Sequence, residues 1–197
     1  MSEAPAPRRD AILEAAYKAF ALYGYRRTSM EEIARGTGLS RASLYLHFAN
    51  KEEIFRGLVE RVHTSALDAA ERALEGDVPL ASRLEDALVA KVGRLLDVVS
   101  ESPHGEEIVD ESSRTCGDIV LASSERFQKM LAKAMSTAVR AGELRLVGTG
   151  LSAPAAAEML RLSATGLKYG AGDGREYRKR VRRLVRVFLA GCDGLGE

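Results

Sequence analysis

The sequence predicts an all-α fold, and two observations support this prediction. Apolar residues recur at helical spacing along most of the 197-residue chain, whereas no useful length of chain alternates apolar and polar residues as a half-buried strand would. Residues that favour helix starts, and glycines that favour helix ends, separate these periodic segments. Because 46% of the residues are hydrophobic, the predicted helices can enclose a sizeable core.

The first helix is predicted over residues 8–23. It follows a Pro/Ala-rich tail, residues 1–7, that we expect to be disordered. The apolar residues of this helix that share one face are Ile12, Ala16, Ala19, Phe20 and Tyr23. Gly24 then supplies the left-handed backbone conformation that commonly ends a helix.

Two short helices are predicted next. Ser29 and Glu32 have the spacing of a capping box, and Gly38 ends the second helix after barely two turns. Ser40 can cap a third helix over residues 41–48. Two short helices joined by a glycine-containing turn, with a helix on either side, are typical of the helix-turn-helix, whose second helix enters the major groove of DNA.

The outward positions of the third helix are the candidate DNA contacts. Leu44 and Phe48 lie four residues apart, so both can anchor this helix from its inner face. The side chains expected to reach base edges are Arg41, Ala42 and Ser43, of which Arg41 can bind guanine with two hydrogen bonds. The side chains expected to contact phosphates and to fix the register are Thr28, Tyr45, His47 and Lys51.

The segment "ILEAAYKAFALYGYRRTSMEEIARGTGLSRASLYLHFANKEEIF", residues 12–55, resembles the DNA-binding domain of the TetR family of bacterial transcriptional repressors. The resemblance implies an all-helical homodimer in which helices one to three bind DNA. It implies that the remaining helices enclose a small-molecule pocket, and that the last two pack against their copies in a four-helix interface. Its phosphate-contacting and base-reading positions fall on the residues named above. Leu46 departs from the family pattern, because several members carry an aromatic or polar residue there that also reaches DNA.

The predicted domain organisation is a DNA-binding domain over residues 8–53 and a helical regulatory domain, for ligand binding and dimerisation, over residues 54–197. Asn50 and Glu53 form a capping box that opens a long fourth helix towards Leu74. Later helices are predicted over residues 80–99, 108–141 with a break near Gly117, 155–169 and 175–190, with an acidic loop over residues 102–106.

Two sets of residues in the regulatory domain are candidate sites. The largely apolar neighbourhood expected to bind a ligand comprises His63, Leu67, Leu95, Leu96, Phe127, Met130 and Met159. The residues expected at the dimer interface are Leu160, Leu167, Tyr177, Val181, Leu184, Val185 and Phe188.

Composition limits the other functions. The formal net charge of +1 gives no global sign of nucleic-acid binding, so such a function must depend on local charge. No apolar run is long enough to span a membrane and the N-terminus lacks a signal peptide, so we expect a cytoplasmic protein. Two cysteines are too few for a zinc cage or a disulfide framework, and no metal or cofactor is expected.

Several alternatives remain open at this stage. A helical enzyme is one, although the sequence contains no nucleophile elbow, P-loop, dinucleotide fingerprint or metalloprotease helix. The last helix is basic on one face and could bind a membrane surface, but its position beside an alanine-rich helix favours dimerisation. The group around His104, with Glu106 and Glu107, could suggest a metal site, but a solvated acidic helix start explains it better. Cys116 is expected to be a buried structural thiol rather than a redox sensor.

The sequence therefore predicts a ligand-responsive transcriptional regulator and no enzyme. We expect it to be a repressor that binds a near-palindromic operator as a homodimer. The partners expected are double-stranded DNA, a second copy of the chain and an unidentified small-molecule effector, with no membrane.

Overall fold

The computed structural model describes residues 6–194, without the side chains of residues 6, 7, 94, 95, 97–99, 101, 193 and 194. The described part contains helices and no strand. In chain order the helices are α1 (Ala6–Tyr23), α2 (Met30–Thr37), α3 (Arg41–Tyr45), α4 (Lys51–Leu74), α5 (Leu80–Glu101), α6 (Gly105–Thr115), α7 (Gly117–Arg140), α8 (Ala153–Gly166) and α9 (Gly174–Gly194). The all-α prediction is confirmed.

Several helix boundaries differ from the sequence predictions, and three of these differences concern α1, α3 and α6. The first helix begins at Ala6, so the expected disordered tail is too long, and Pro7 fits because the first turn of a helix needs no amide hydrogen bond from it. The third helix ends at Tyr45 rather than at residue 48, because the chain tightens there and the amide of His47 donates to the carbonyl of Leu44 at 3.0 Å. Helix α6 begins within the expected acidic loop, at Gly105.

The chain divides into two compact units. The first unit ends at His63 and also includes Val98–Val120, whereas the second consists of Thr64–Asp97 and the chain from Leu121 onward. This division differs from the predicted one at residues 53 and 54, because the first unit extends to His63 and also includes Val98–Val120. Helix α6 returns to the first unit, where the hydroxyl of Ser102 donates to the carbonyl of Ala21 at 2.7 Å.

The first unit has its own core. Three aromatic rings form its centre: the ring centroid of Phe20 lies 5.4 Å from that of Tyr25 and 5.6 Å from that of Phe55, and Tyr25 and Phe55 lie 4.8 Å apart. Tilted and edge-on ring pairs of this kind are stabilising beyond the area they bury. Cys116 is fully buried in the same core, and burial raises the pKa of its thiol.

The second unit is built around apolar faces of α4, α5, α7, α8 and α9. Its largest fully buried side chains are Tyr177, Phe127, Leu84, Leu88 and Leu131. The phenol of Tyr177 donates to the carbonyl of Ala164 at 3.2 Å, which ties α9 to α8. Burial raises the pKa of Tyr177 well above its usual value, so the phenol stays a neutral donor.

Candidate nucleic-acid interface

Helix α2 is fixed at both ends by its own sequence. The hydroxyl of Ser29 accepts from the amide of Glu32 at 3.2 Å, and the carboxylate of Glu32 accepts from the amide of Ser29 at 2.6 Å, so the capping box is complete. These hydrogen bonds lower the pKa of Glu32. At the other end, Gly38 has φ 68°, a left-handed conformation that costs glycine little. The turn between α2 and α3 is therefore set by local chemistry.

Helix α3 buries one side and exposes the other. The hydroxyl of Ser40 caps it by accepting from the amide of Ser43 at 3.1 Å. Leu44 is fully buried and Phe48, just beyond the helix, is 1% exposed, so both serve as anchors. The opposite side presents Arg41, Ala42, Tyr45 and Leu46 to solvent, and Leu46 is 85% exposed. An exposed short helix held this firmly can enter a DNA groove with little rearrangement.

Arg41 and Tyr45 form a pair on the exposed side of α3. The guanidinium of Arg41 lies 3.4 Å from the Tyr45 hydroxyl and 5.7 Å from the centre of its ring. The hydroxyl raises the pKa of Arg41, so its positive charge is retained. Both groups can bind oxygen atoms of bases or phosphates from this position.

Ser43 and His47 are half-buried at the edges of the same side. The hydroxyl of Ser43 lies 2.9 Å from that of Ser40, which leaves it able to donate or accept once more. The carbonyl of His47 accepts from Arg9 at 3.4 Å, and the guanidinium of Arg9 stacks 4.2 Å from the centre of the Phe48 ring. Arg9 therefore holds the end of α3, a role that its place in the first helix did not suggest.

Thr28 does not occupy the position that the sequence predicts for it. Its side chain is 2% exposed, and its hydroxyl donates to the carbonyl of Gly24 at 2.7 Å. A buried hydroxyl committed to the main chain cannot also donate to a phosphate. The predicted phosphate contact by the Thr28 side chain is therefore not compatible with this geometry, and Thr28 instead shapes the turn before α2.

Lys51 is also turned inward. Its ammonium donates to the carbonyls of Tyr25 at 2.7 Å, Thr28 at 2.9 Å and Arg26 at 3.3 Å. These three bonds use all three of its N–H groups. Burial lowers the pKa of Lys51, an effect that the carboxylates of nearby glutamates oppose. The predicted phosphate contact does not fit this position, because Lys51 ties the start of α4 to the turn between α1 and α2.

Helix α6 braces the same turn from the other side. The carboxylate of Glu107 accepts from the amide of Arg26 at 2.8 Å. Gly24 has φ 82°, which strains any L side chain, and a Cβ there would lie 2.4 Å from the Glu107 carboxylate, which would have to shift. Arg56 donates to the carbonyl of Thr115 and, at 2.6 Å, to the carboxylate of Asp118. Sequence reasoning missed these contacts because each partner is distant along the chain.

Comparison with known proteins also indicates a DNA-binding domain. Residues 12–58 match the family model described as bacterial regulatory proteins, tetR family. YhgD of Bacillus subtilis, an uncharacterized HTH-type transcriptional regulator, is 32% identical over 83 residues. That alignment covers 42% of this chain and 44% of YhgD, so the chain spans less than half the length of this relative. Residues 12–58 therefore carry a DNA-binding domain of the TetR family.

Solved structures extend the structural likeness to nearly the whole chain. SmeT, the repressor of the SmeDEF multidrug efflux pump of Stenotrophomonas maltophilia, is 25% identical, with a TM-score of 0.67 over 96% of this chain and 90% of SmeT. A transcriptional regulator from Cytophaga hutchinsonii has a TM-score of 0.73 over 93% of this chain and 97% of its own, at 19% identity. The second likeness concerns the fold alone.

The residues predicted to bind a ligand do not together line either of the two cavities described below. Leu67 and Phe127 are buried in the core of the second unit, and Met159 is 52% exposed on α8. Leu96 packs against that core, and His63 belongs to the first unit. The side chain of Leu95 lies outside the described residues. Sequence periodicity could not separate a cavity wall from a filled core, because both are apolar.

Two cavities do lie within the second unit. The larger, of about 580 Å³, lies between α4, α5 and α9, where small side chains such as Ala69, Ala73 and Ala90 form its walls. An ion pair between Arg178 and Asp86, 3.4 Å apart, lies at its edge. The smaller, of about 340 Å³, includes Met130, which is the one residue of the predicted set that lines either cavity.

Four residues of the predicted dimer interface are instead core residues. Leu160, Tyr177, Val181 and Val185 are at most 1% exposed within a single chain, so they cannot contact a second copy. Leu167, Leu184 and Phe188 are half-buried against the same core. The apolar side chains that α8, α9 and the turn between them expose are Met159, Leu162, Tyr169 and Val187.

Metal binding and membrane spans are the remaining points. Among the side chains that the structure describes, no group of three His, Cys, Asp or Glu residues is close enough to hold a metal ion. His104 lies 3.7 Å from Glu107 and packs near Gly24. No described helix is long and apolar enough to cross a membrane.

Proposed function

We propose that this TetR-family protein is a ligand-responsive transcriptional repressor that binds a near-palindromic operator as a homodimer and is released by a small-molecule effector. The observation that carries the proposal is the exposed side of α3. Leu44 anchors this helix from below, while Arg41, Ala42 and Tyr45 stand outward from its opposite side. This is the arrangement required of a helix that reads base edges.

Within this proposal, direct base contacts come from the first turn of α3. Arg41 binds a guanine through two N–H groups and specifies one base pair, and Ala42 contacts a thymine methyl group. Tyr45 and His47 bind phosphates and set the register. Leu46 adds van der Waals contact with a base or sugar, since its exposed side chain lies beside Tyr45.

The proposed dimer uses the outer faces of α8 and α9. Met159, Leu162 and Gly166 follow one another at helical spacing on the exposed side of α8. On α9, the exposed Val187 lies beside the half-buried Leu184 and Phe188. Covering these apolar groups with a second copy favours a dimer. Two recognition helices related by a two-fold axis would bind half-sites about 34–36 Å apart, one turn of DNA, or a multiple of it.

The proposed effector binds the second unit and favours a dimer whose recognition helices do not match the operator. A coupling of about 1–3 kcal/mol between the two sites lowers operator affinity roughly 5- to 150-fold. The solved complex of SmeT with triclosan supports a small-molecule effector, since SmeT has the same fold.

The experiment that tests this function is selection of bound sequences from a random DNA pool. Wild-type protein, Arg41→Ala and Arg145→Ala are compared, because Arg145 is an exposed arginine of the second unit and its loss removes the same charge. We expect wild type and Arg145→Ala to enrich one near-palindromic motif. Arg41→Ala should bind it about 5- to 150-fold more weakly and relax the preference at one base pair of each half-site.

Two results would count against the proposal. Enrichment of no motif by the wild-type protein at low salt would remove its basis. Equal weakening by Arg41→Ala and Arg145→Ala, with no change in sequence preference, would show that Arg41 is not a base reader.

A further inference from the structure

Two adjacent arginines lie in the turn that precedes α2. Arg26 and Arg27 are both exposed, and neither guanidinium pairs with a carboxylate among the described residues. By contrast, Arg35 of α2 pairs with Glu31 at 3.9 Å. Two such guanidiniums on one turn concentrate positive charge locally in a chain whose formal net charge is only +1.

The main chain of this turn is fixed by contacts with other elements. The ammonium of Lys51 donates to three of its carbonyls, including that of Arg26 at 3.3 Å. The amide of Arg26 donates to the carboxylate of Glu107 at 2.8 Å, and the hydroxyl of Thr28 donates to the carbonyl of Gly24 at 2.7 Å. All these contacts are made by main-chain atoms of the turn. They hold its backbone in place and leave both arginine side chains available to a partner.

Other polar groups near the start of α2 are already committed. The two side chains that the sequence predicts as phosphate contacts here bind main-chain carbonyls instead. The carboxylate of Glu32 accepts from the amide of Ser29 at 2.6 Å and from its hydroxyl at 2.9 Å. A phosphate at this helix start would therefore meet a carboxylate. Arg26 and Arg27 remain as the exposed charged donors of this turn.

The turn lies close to the exposed side of α3. The pKa of Arg41 is raised by the Tyr45 hydroxyl and, to a smaller extent, by the carboxylate of Glu31, so Glu31 lies near Arg41. Glu31 is in the first turn of α2 and follows Arg27 by four residues, which span at most about 14 Å. The major groove is about 12 Å wide, and in a helix-turn-helix the first helix crosses the DNA backbone. A guanidinium on this turn is therefore within reach of a strand that borders the groove.

We propose that Arg26 and Arg27 bind backbone phosphates of the operator, in addition to the phosphate contacts proposed for Tyr45 and His47. A guanidinium offers paired N–H donors that match the oxygens of a phosphate. Such contacts add affinity and fix the register without reading sequence. The inference rests on the proposed function, since it assigns further backbone contacts to the same interface.

The first test is the salt dependence of binding to two duplexes, the selected operator and a scrambled duplex of the same composition, measured by fluorescence anisotropy. Each phosphate contact contributes about 0.9 per bound subunit to the slope of log affinity against log salt concentration. Arg26→Gln and Arg27→Gln should each lower this slope by about 0.9 per subunit, and the double variant by about 1.8. Arg145→Gln is the matched control, because Arg145 is an exposed arginine of the second unit, and it should keep the wild-type slope.

Two comparisons show which kind of contact is lost. Because every duplex carries the same phosphates, the glutamine variants should weaken operator and scrambled-duplex binding by the same factor, to within about twofold. The variant Arg26→Lys/Arg27→Lys keeps both charges and should retain the wild-type slope. Urea denaturation is measured on each variant, since a merely structural role would lower the midpoint and leave the slope unchanged.

The outcomes separate this inference from the proposed function. A wild-type slope in either glutamine variant, or weakening confined to the operator, would overturn the inference. Selective operator binding by wild type, together with unchanged slopes in the variants, leaves the regulator standing and removes these contacts. Equal affinity of wild type for the two duplexes, with slopes that fall in the glutamine variants, keeps the phosphate contacts and contradicts the proposed function.

Discussion

Replacement of Lys51 by methionine distinguishes a structural role from a DNA contact. Methionine keeps an unbranched apolar chain but removes the ammonium, which donates to three main-chain carbonyls at 2.7–3.3 Å. Hydrogen bonds to a charged group are worth about 1.5–3 kcal/mol each. The variant also removes the free-energy cost of burying the ammonium charge, and this offsets part of the loss of these hydrogen bonds.

The expected net loss for Lys51→Met is about 2–4 kcal/mol of unfolding free energy. Urea denaturation followed by circular dichroism measures it as a lower midpoint. Lys18→Met is the matched control, because Lys18 is an exposed lysine whose pair with Glu14, at 3.8 Å, is worth at most about 1 kcal/mol.

The salt dependence of DNA binding supplies the second half of this test. A lysine that contacts a phosphate contributes about 0.9 to the slope of log affinity against log salt concentration. Because Lys51 is committed to carbonyls, folded Lys51→Met should show the wild-type slope. An unchanged denaturation midpoint together with a slope smaller by about 0.9 would refute the structural role and restore Lys51 as a phosphate contact.

Three further predictions concern stability. Gly24→Ala should lower the unfolding free energy by more than the roughly 1–2 kcal/mol of a left-handed alanine, because its Cβ would also meet the Glu107 carboxylate; wild-type stability in urea would contradict this. The low pKa of Lys91 predicts that stability increases between about pH 8 and pH 10, where the unfolded chain binds more protons, by up to about 3 kcal/mol relative to Lys91→Met; parallel pH curves for the two proteins would disprove it. Tyr177→Phe should cost about 1 kcal/mol by removing the hydrogen bond from the phenol to the carbonyl of Ala164, measured by thermal unfolding, and an unchanged melting temperature would show that this bond contributes nothing.

The parts of the fold that the sequence predicts well depend on local interactions. Ser29 and Glu32 cap α2 across three residues, and Gly38 ends it, so both signals can be read without knowing the rest of the chain. The inward position of Leu44 follows in the same way from its spacing to Phe48. These local features were enough to place α3 and to indicate which of its side chains are outward.

The direction of a polar side chain is not a local property. Thr28 and Lys51 were expected to bind phosphates, but their partners are main-chain carbonyls that only the folded turn brings together. The sequence contains no signal for these contacts, since Lys51 and Tyr25 lie 26 residues apart. The DNA contacts expected from Arg41 and Tyr45 stay predictions until DNA binding is measured.

A stripe of apolar residues on a helix also does not show whether the chain's own core or a second copy of the chain covers it. Tyr177, Val181 and Val185 lie on the apolar face of α9, as periodicity indicates, but that face packs against the chain's own core. Lys91 was missed for the opposite reason. A single lysine in a long helix is expected to be exposed, and only its hydrogen bond to Ser123 of α7 and its burial show otherwise.

The most direct measurement is the affinity of the wild-type protein for the selected operator and for a scrambled duplex of the same composition, by fluorescence anisotropy at physiological salt. A sequence-specific regulator should bind the operator about a thousandfold or more tightly than the scrambled duplex. Equal affinity for the two duplexes, with the same salt dependence, would show that α3 does not read sequence and would contradict the proposed function.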